Sequence, residues 1–233
     1  MADYKNIVPF IKKFEGGLSK SPYDTAKDNP SPCRYKREMG WHTNKGIQWI
    51  VFKENAGSLG YDASCNNFLA MPDDIWLKIY KNKYWDRFYL DTMKSQPIAN
   101  VIVTWAWGSG VGGGYSQLAK FINKTYGQSY STSYSAANAK TLVLFLDEKA
   151  KQVGEKKLFE QLVEWRKNYF ISLNQPANLN GWLKRLDEFK KLHTEFLTKS
   201  MAFVKQNWLP ITIGSAIVVS IIIYAARKNN NNG

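Results

Sequence analysis

The stretch Phe14 to Gln48, FEGGLSKSPYDTAKDNPSPCRYKREMGWHTNKGIQ, gathers side chains able to do chemistry: Glu15, Asp24, Asp28, His42, Thr43 and Asn44. Glu15 closes an apolar-periodic run and precedes Gly16 and Gly17, the residue type that ends helices because it accepts positive φ. A carboxylate placed there is held at the lip of a cleft, on rigid backbone but facing a loop. The same residues would also make an ordinary helix end with a solvated Glu. Asp24 and Asp28 follow in a Pro-rich segment, where each is either a second reactive carboxylate or an Asx-turn residue. No ligand spacing supports a metal site, and no cofactor is implied.

The elements that must hold these groups are helical. Ile7, Phe10, Ile11 and Phe14 fall at i, i+3, i+4 and i+7, so the first element is a short amphipathic helix ending at Glu15. From Leu18 to Gly40 there is no period, and Pro22, Pro30 and Pro32 mark a long loop or small hairpin. Loops of that length in a compact domain are usually functional. Ile47, Ile50, Val51 and Glu54 then define a second helix, which Thr43 could cap.

Met71-Pro72-Asp73-Asp74 is a helix start, with acids to meet the positive dipole end. It leads into a helix whose Ile75, Ile79, Trp85 and Phe88 can share a face. The run from Pro97 through IANVIVTWAWGSGVGGG is apolar on nearly all sides and reads as the central buried helix. Its glycine-rich end is no phosphate loop, since no strand precedes it and no Lys-Ser/Thr follows in position. Further helical runs cover Tyr115–Tyr126, Ala136–Lys151 and Glu155–Leu173, and Asn180–Gln206 reads as one long amphipathic helix. The fold class is mainly α.

With 233 residues, 44% of them apolar, the chain can bury a proper core. Lys and Arg number 32 against 19 Asp and Glu. Removing everything from Leu209 onward takes away only Arg227 and Lys228 of that excess, so the basicity belongs to the folded domain. Such a field attracts polyanions: nucleic acid, anionic lipid or an anionic cell-wall polymer. The absence of a helix-turn-helix, RNP-like or zinc-finger pattern argues against nucleic acid. Nine tryptophans fit sugar stacking, though most should be core. Cys33 and Cys65 do not make a disulfide framework; they would form a single bridge if the domain works outside the cytoplasm.

The N-terminus lacks the apolar core and cleavage site of a signal peptide, so export by the general route is not expected. Leu209–Ala226 is charge-free over eighteen residues and flanked by Trp208, Arg227 and Lys228, which reads as a transmembrane helix. Lys190, Lys191, Lys199 and Lys205 precede it, a bias that would place the domain in the cytoplasm. The expected layout is therefore a domain at 1–178, an amphipathic stem at 179–208, a span at 209–226 and a polar tail at 227–233.

Four motifs occur in order: Glu15-Gly16-Gly17, His42-Thr43-Asn44-Lys45-Gly46-Ile47, Ile79-Tyr80 with Tyr84-Trp85, and Asn180-Gly181-Trp182-Leu183-Lys184-Arg185. Together, over about Ile7 to Arg185, they resemble the glycoside hydrolase family 108 N-acetylmuramidases. These are lysozyme-like helical peptidoglycan hydrolases, often from phages and bacteria. The resemblance implies a lysozyme-like fold, peptidoglycan as partner, Glu15 as the catalytic acid, and the loop ending at Thr43 as one wall of the sugar cleft. In two places the chain departs from the family. A longer insertion, Ser19 to Trp41, replaces the usual Asp-x-Gly-Gly linker. Thr104-Trp105-Ala106-Trp107-Gly108-Ser109-Gly110 stands where an Asp before an aromatic and a later Asn-x-Gly are common.

Cleaving a β-1,4 glycosidic bond needs a carboxylic acid that still holds its proton near neutral pH. Phe14, Trp49 or Trp107 could supply the apolar surroundings that favour this form. Asp24, in the loop that returns across the cleft, is the first candidate for the second carboxylate and Asp28 the next. Thr43 would orient a water or a sugar hydroxyl. Asn44 would bind an acetamido group, and His42, Trp49 and Trp107 would line the substrate. Three functions follow: a membrane-anchored muramidase, delivered by a phage or a secretion machine and assembled with its components; a non-catalytic wall-binding or structural module of such a particle; or a tail-anchored membrane-active protein.

Overall fold

The computed structural model describes residues 1–195. The rest of the expected stem, the span at Leu209–Ala226 and the polar tail lie outside the described residues. Among the described residues no helix is long and apolar enough to cross a membrane. The chain divides into two compact units, Met1–Arg185 and Leu186 onward. In the second unit residues 186–195 are helical. There His193 Nδ1 donates to the Phe189 carbonyl at 2.8 Å, while burial pushes the imidazole below its ordinary value.

The first unit is mainly helical around a small sheet. Helix α1 (Val8–Phe14) carries Pro9 in its first turn and buries Val8 and Ile11. It stops because Glu15 turns to extended backbone, φ −91° and ψ 126°, with its N–H on the Lys12 carbonyl. The expected left-handed glycine stop is absent: neither Gly16 nor Gly17 has positive φ.

Strands β1 (Leu18–Ser19), β2 (Thr43–Asn44) and β3 (Ile47–Gln48) form one antiparallel sheet in the order β1-β2-β3. The sequence suggests that Ile47 lies in a helix and that Thr43 could cap it; in the structure both are strand residues. The reason is the turn Lys45-Gly46, with φ of 47° and 78°. Positive φ at both central residues makes a two-residue hairpin whose twist matches its strands, and Thr43 pairs with Gln48 across it. Helix α2 (Trp49–Ala56) starts only after this hairpin, with Gln48 at its N-cap.

Helix α3 (Cys65–Ala70), unanticipated, is capped by Ser64 and begins at the cysteine bridged to Cys33. That bridge ties the 20–41 loop to the helical body. Helix α4 (Asp73–Tyr80) starts at the acids expected of it and passes into a π turn over Lys81–Trp85. Lys81 pairs with Asp86 and Asp91, and Trp85 Nε1 donates to Asp91 Oδ1 at 2.7 Å. Such a turn shifts the residues after it around the helix axis, and Tyr84 lies within it.

Helix α5 (Gln96–Tyr126) joins the two runs read separately from the sequence. Its first half is the buried core, from Ile98 to Ala106. At Gly110, φ 72° and ψ 160°, the backbone leaves the helix. A Cβ on Gly114 would lie 2.8 Å from the backbone of Ala106. Residues eight apart in a straight helix are separated by about 12 Å of rise. The two halves therefore meet at a sharp corner, and glycine lets them touch. Helices α6 (Ala136–Val153) and α7 (Glu155–Ser172) pack on α5 and on each other, and they bury Leu142, Val143, Leu146, Leu158, Phe159 and Leu162. Each such side chain contributes about 1.5–3 kcal/mol on burial. Residues 176–185, α8, close the unit.

Candidate active site

Glu15 stands one residue beyond α1, its side chain 16% exposed. Its Oε1 accepts the indole N–H of Trp107 at 2.8 Å. The same oxygen lies 3.7 Å from Nη1 of Arg185 in α8. Arg185 also donates through Nη2 to the Phe14 carbonyl at 3.2 Å and lies 5.0 Å over the Phe14 ring. Against the other oxygen stands Gly46: a Cβ there would lie 2.5 Å from Oε2 and 2.6 Å from Trp107 Cζ2. Positive φ and this close approach both require glycine at 46.

Trp107 is the first residue on α5 after its buried stretch. Its ring meets Trp76, Tyr80 and Tyr84 at 5.5, 5.6 and 4.9 Å. Burial, with the charge of Glu15, pushes the Tyr84 phenol up to about 12. Tyr84 therefore remains an O–H group at any physiological pH. Trp107 N–H and the Arg185 guanidinium only donate, so Oε1 faces donors. In the neutral acid the hydrogen belongs on Oε2, beside Gly46.

A second cluster forms on the sheet. Asp24 caps the short turn Thr25–Asp28 by accepting the Ala26 N–H on Oδ1 at 2.9 Å. Its Oδ2 accepts the Thr43 hydroxyl at 3.1 Å. His42 Nδ1 lies 3.2 Å from Thr43 Oγ1 and 3.9 Å from Asp24 Oδ2. His42 Nε2 meets the Ser21 carbonyl at 3.2 Å, and since a carbonyl only accepts, Nε2 carries a hydrogen. Asp28 instead pairs with Lys27 at the surface. Backbone bonds link the two clusters: Ser19 pairs with Thr43, and Lys45 N–H donates to the Gly17 carbonyl at 3.2 Å.

Asn44 and Trp49 join neither cluster. Asn44 is buried and gives both amide hydrogens to the Phe68 and Leu69 carbonyls, at 2.7 and 3.0 Å, so they are not free for an acetamido group. Trp49 packs on Phe52 and Phe68 at 5.9 and 5.1 Å and so joins the α2–α3 packing. His42, 3% exposed, acts on Thr43 from inside the protein. Trp105 is fully buried.

Sequence reasoning did not single out Gly46, Tyr84, Arg166 and Arg185. Three of them lie inside the quoted motifs, so their signal was present without a role. Arg166 had none beyond a charge on the apolar stripe of α7. It is buried, donates to Thr104 Oγ1 and to the Thr104 carbonyl at 2.9 and 3.0 Å, and lies 5.5 Å over Trp105. Burial and the charge of Arg185 push its guanidinium down to about 9, so it stays charged at neutral pH. It braces the turn of α5 that presents Trp107. Among the described residues no group of His, Cys, Asp and Glu could hold a metal ion.

Residues 8–110 match the family model described as Glycosyl hydrolase 108. The matched stretch contains Glu15, Asp24, Thr43, Gly46 and Trp107. Among solved structures, the chain is similar to that of Brucella abortus SagA at 17% identity and a TM-score of 0.56, over 82% of this chain and 94% of that one. At that identity the likeness speaks for the fold. No curated protein matches the chain. The family match, over less than half of the chain, supports a glycosyl hydrolase.

Proposed function

We propose that the chain is an N-acetylmuramidase that cleaves the β-1,4 bond between N-acetylmuramic acid and N-acetylglucosamine. The observation that carries this reading is the asymmetry of Glu15: Oε1 accepts the Trp107 N–H and lies 3.7 Å from Arg185 Nη1, so that in the neutral acid Oε2 is the oxygen to bear and give up the proton. Oε2–H protonates the glycosidic oxygen as the C1–O bond breaks, and Glu15 becomes a carboxylate. Asp24 is the second carboxylate. It and Thr43 are already joined by a hydrogen bond, and their remaining lone pairs suit a water that adds to C1. Asp24 takes that water's proton. The net charge of +13 suits an anionic wall polymer. Delivery by a phage or an injection machine is the route proposed for reaching the wall, because the basic residues before Leu209–Ala226 would otherwise keep the domain in the cytoplasm.

Mass spectrometry of fragments released from purified peptidoglycan by the full chain tests this. The expected products end in reducing N-acetylmuramic acid, and Glu15→Gln releases none. Products ending in reducing N-acetylglucosamine, products cut only in the peptide, or equal release by Glu15→Gln would each refute the assignment.

A further inference from the structure

We infer that Arg185 is a positioning residue for Glu15, so that the site is completed by α8, well beyond the matched stretch 8–110. The role rests on the muramidase reading. Glu15 needs such a brace because little around its backbone confines it. The helix has ended, the next two residues are glycines, and a Cβ at either glycine would meet nothing within 4 Å. One N–H bond from Trp107 and the close approach of Gly46 fix the carboxylate from one side.

Arg185 adds a contact from α8. Its planar fork holds fixed relations among its N–H groups. One arm bonds the Phe14 carbonyl, the last of α1, and the other lies at ion-pair distance, 3.7 Å, from Oε1, while the guanidinium rests over the Phe14 ring. The carboxylate is thereby tied to the helix from which it projects. The same placement serves the reaction. When Oε2 releases its proton, negative charge appears on the carboxylate, and the Arg185 and Trp107 donors already face Oε1. Donors that already face that charge need no reorganisation as it forms. Arg185 acts through Glu15, and the structure gives it no other carboxylate partner among the described residues.

The test uses the full chain with Arg185→Met and Arg185→Lys. Arg185→Met should lower kcat on the order of 100-fold, with KM and Tm little changed, and Arg185→Lys should recover part of the loss. A second readout is independent of turnover: the indole N–H resonance of Trp107, assigned with Trp107→Phe. Glu15→Gln should move that resonance, and Arg185→Met should move it in the same direction. An unchanged kcat and resonance in Arg185→Met would overturn the role, as would a loss confined to KM. If the wild-type chain cuts no glycan while the resonance still responds to Arg185→Met, the muramidase reading fails and the positioning stands.

Discussion

Replacing Gly46 by alanine should displace the Glu15 carboxylate while leaving the protein folded. The new Cβ would sit 2.5 Å from Oε2, 2.9 Å from Cδ and 2.6 Å from Trp107 Cζ2. Carbon contacts are comfortable at about 3.5–4.0 Å, so the carboxylate and indole must retreat by roughly 1 Å. A misplacement of about 1 Å at a reacting group can lower rates on the order of 100-fold. The substitution also puts a side chain at φ 78°, which costs about 1–2 kcal/mol. Gly40→Ala separates the two effects, because Gly40 has the same φ of 78° but its nearest neighbour, Pro30 Cβ, lies 3.9 Å away. Both variants should lose a few degrees of Tm, at about 2–4 °C per kcal/mol for a unit of this size. Only Gly46→Ala should lose kcat on purified peptidoglycan. If it kept more than about a tenth of the wild-type kcat, the hairpin would not be what places Glu15.

Three further outcomes follow from the geometry. Asp24→Asn should lower kcat by more than about 100-fold, whereas Asp28→Asn, whose carboxylate only pairs with Lys27 at the surface, should leave it unchanged; steady-state kinetics on soluble peptidoglycan separates them. Cys33→Ser with Cys65→Ser opens a bridge between residues 32 apart, for which chain entropy gives about 4 kcal/mol. Thermal unfolding should fall by roughly 8–15 °C, and activity should fall more than stability because the loop carrying Asp24 loses its tie to α3. Tyr84 is pushed up to about 12 from 10.0 by burial and by Glu15, so the folded state binds its proton longer than the unfolded chain does. Its contribution, about 2–3 kcal/mol, is fully present below pH 10 and is lost as the pH rises toward 12. Tyr84→Phe should flatten the fall of Tm over that window, and an unchanged slope would contradict the burial of the phenol.

The regular elements were legible because their causes are local. The apolar period of α1, the acids opening α4, and the runs that became α6 and α7 all depend on neighbours within a turn or two. The structure departs from the expectation where turn chemistry overrides the helical period, or where a contact distant in sequence decides. Ile47 continues the helical period of Ile50 and Val51 but is held in a strand, because Lys45-Gly46 closes a hairpin on β2. Gly16 and Gly17 look like a helix stop; the stop is the extended Glu15 itself, and the left-handed glycine that matters lies at 46. Asn44 follows Thr43 in β2 and so points to the other side of the sheet, onto α3, while Trp49 opens α2 and packs on Phe52 and Phe68. Glu15 and Asp24 were visible as carboxylates; Trp107 and Arg185, 92 and 170 positions beyond Glu15, could be connected to it only by the fold.

That distance explains why the C-terminal half of the first unit matters to chemistry located in its first fifty residues. A glutamate just past a helix end has no helical neighbour after it, and the next two residues of this chain are glycines at which a Cβ would meet nothing within 4 Å. Its donors must come from elements that are themselves rigid. Trp107 qualifies because it follows the most buried stretch of α5, where Arg166 binds both the hydroxyl and the carbonyl of Thr104. Arg185 qualifies because its guanidinium rests on Phe14 as well as on the carboxylate. The corner at Gly110 then has a definite consequence: had α5 run straight, no contact between Gly114 and Ala106 would fix the helix just where Trp107 leaves the core. A bulkier residue at 114 should therefore reach Glu15 indirectly. Gly114→Val would force the Ala106 backbone away, and the Trp107 bond to Oε1 would lengthen before the core around Ile98 and Ile102 was disturbed.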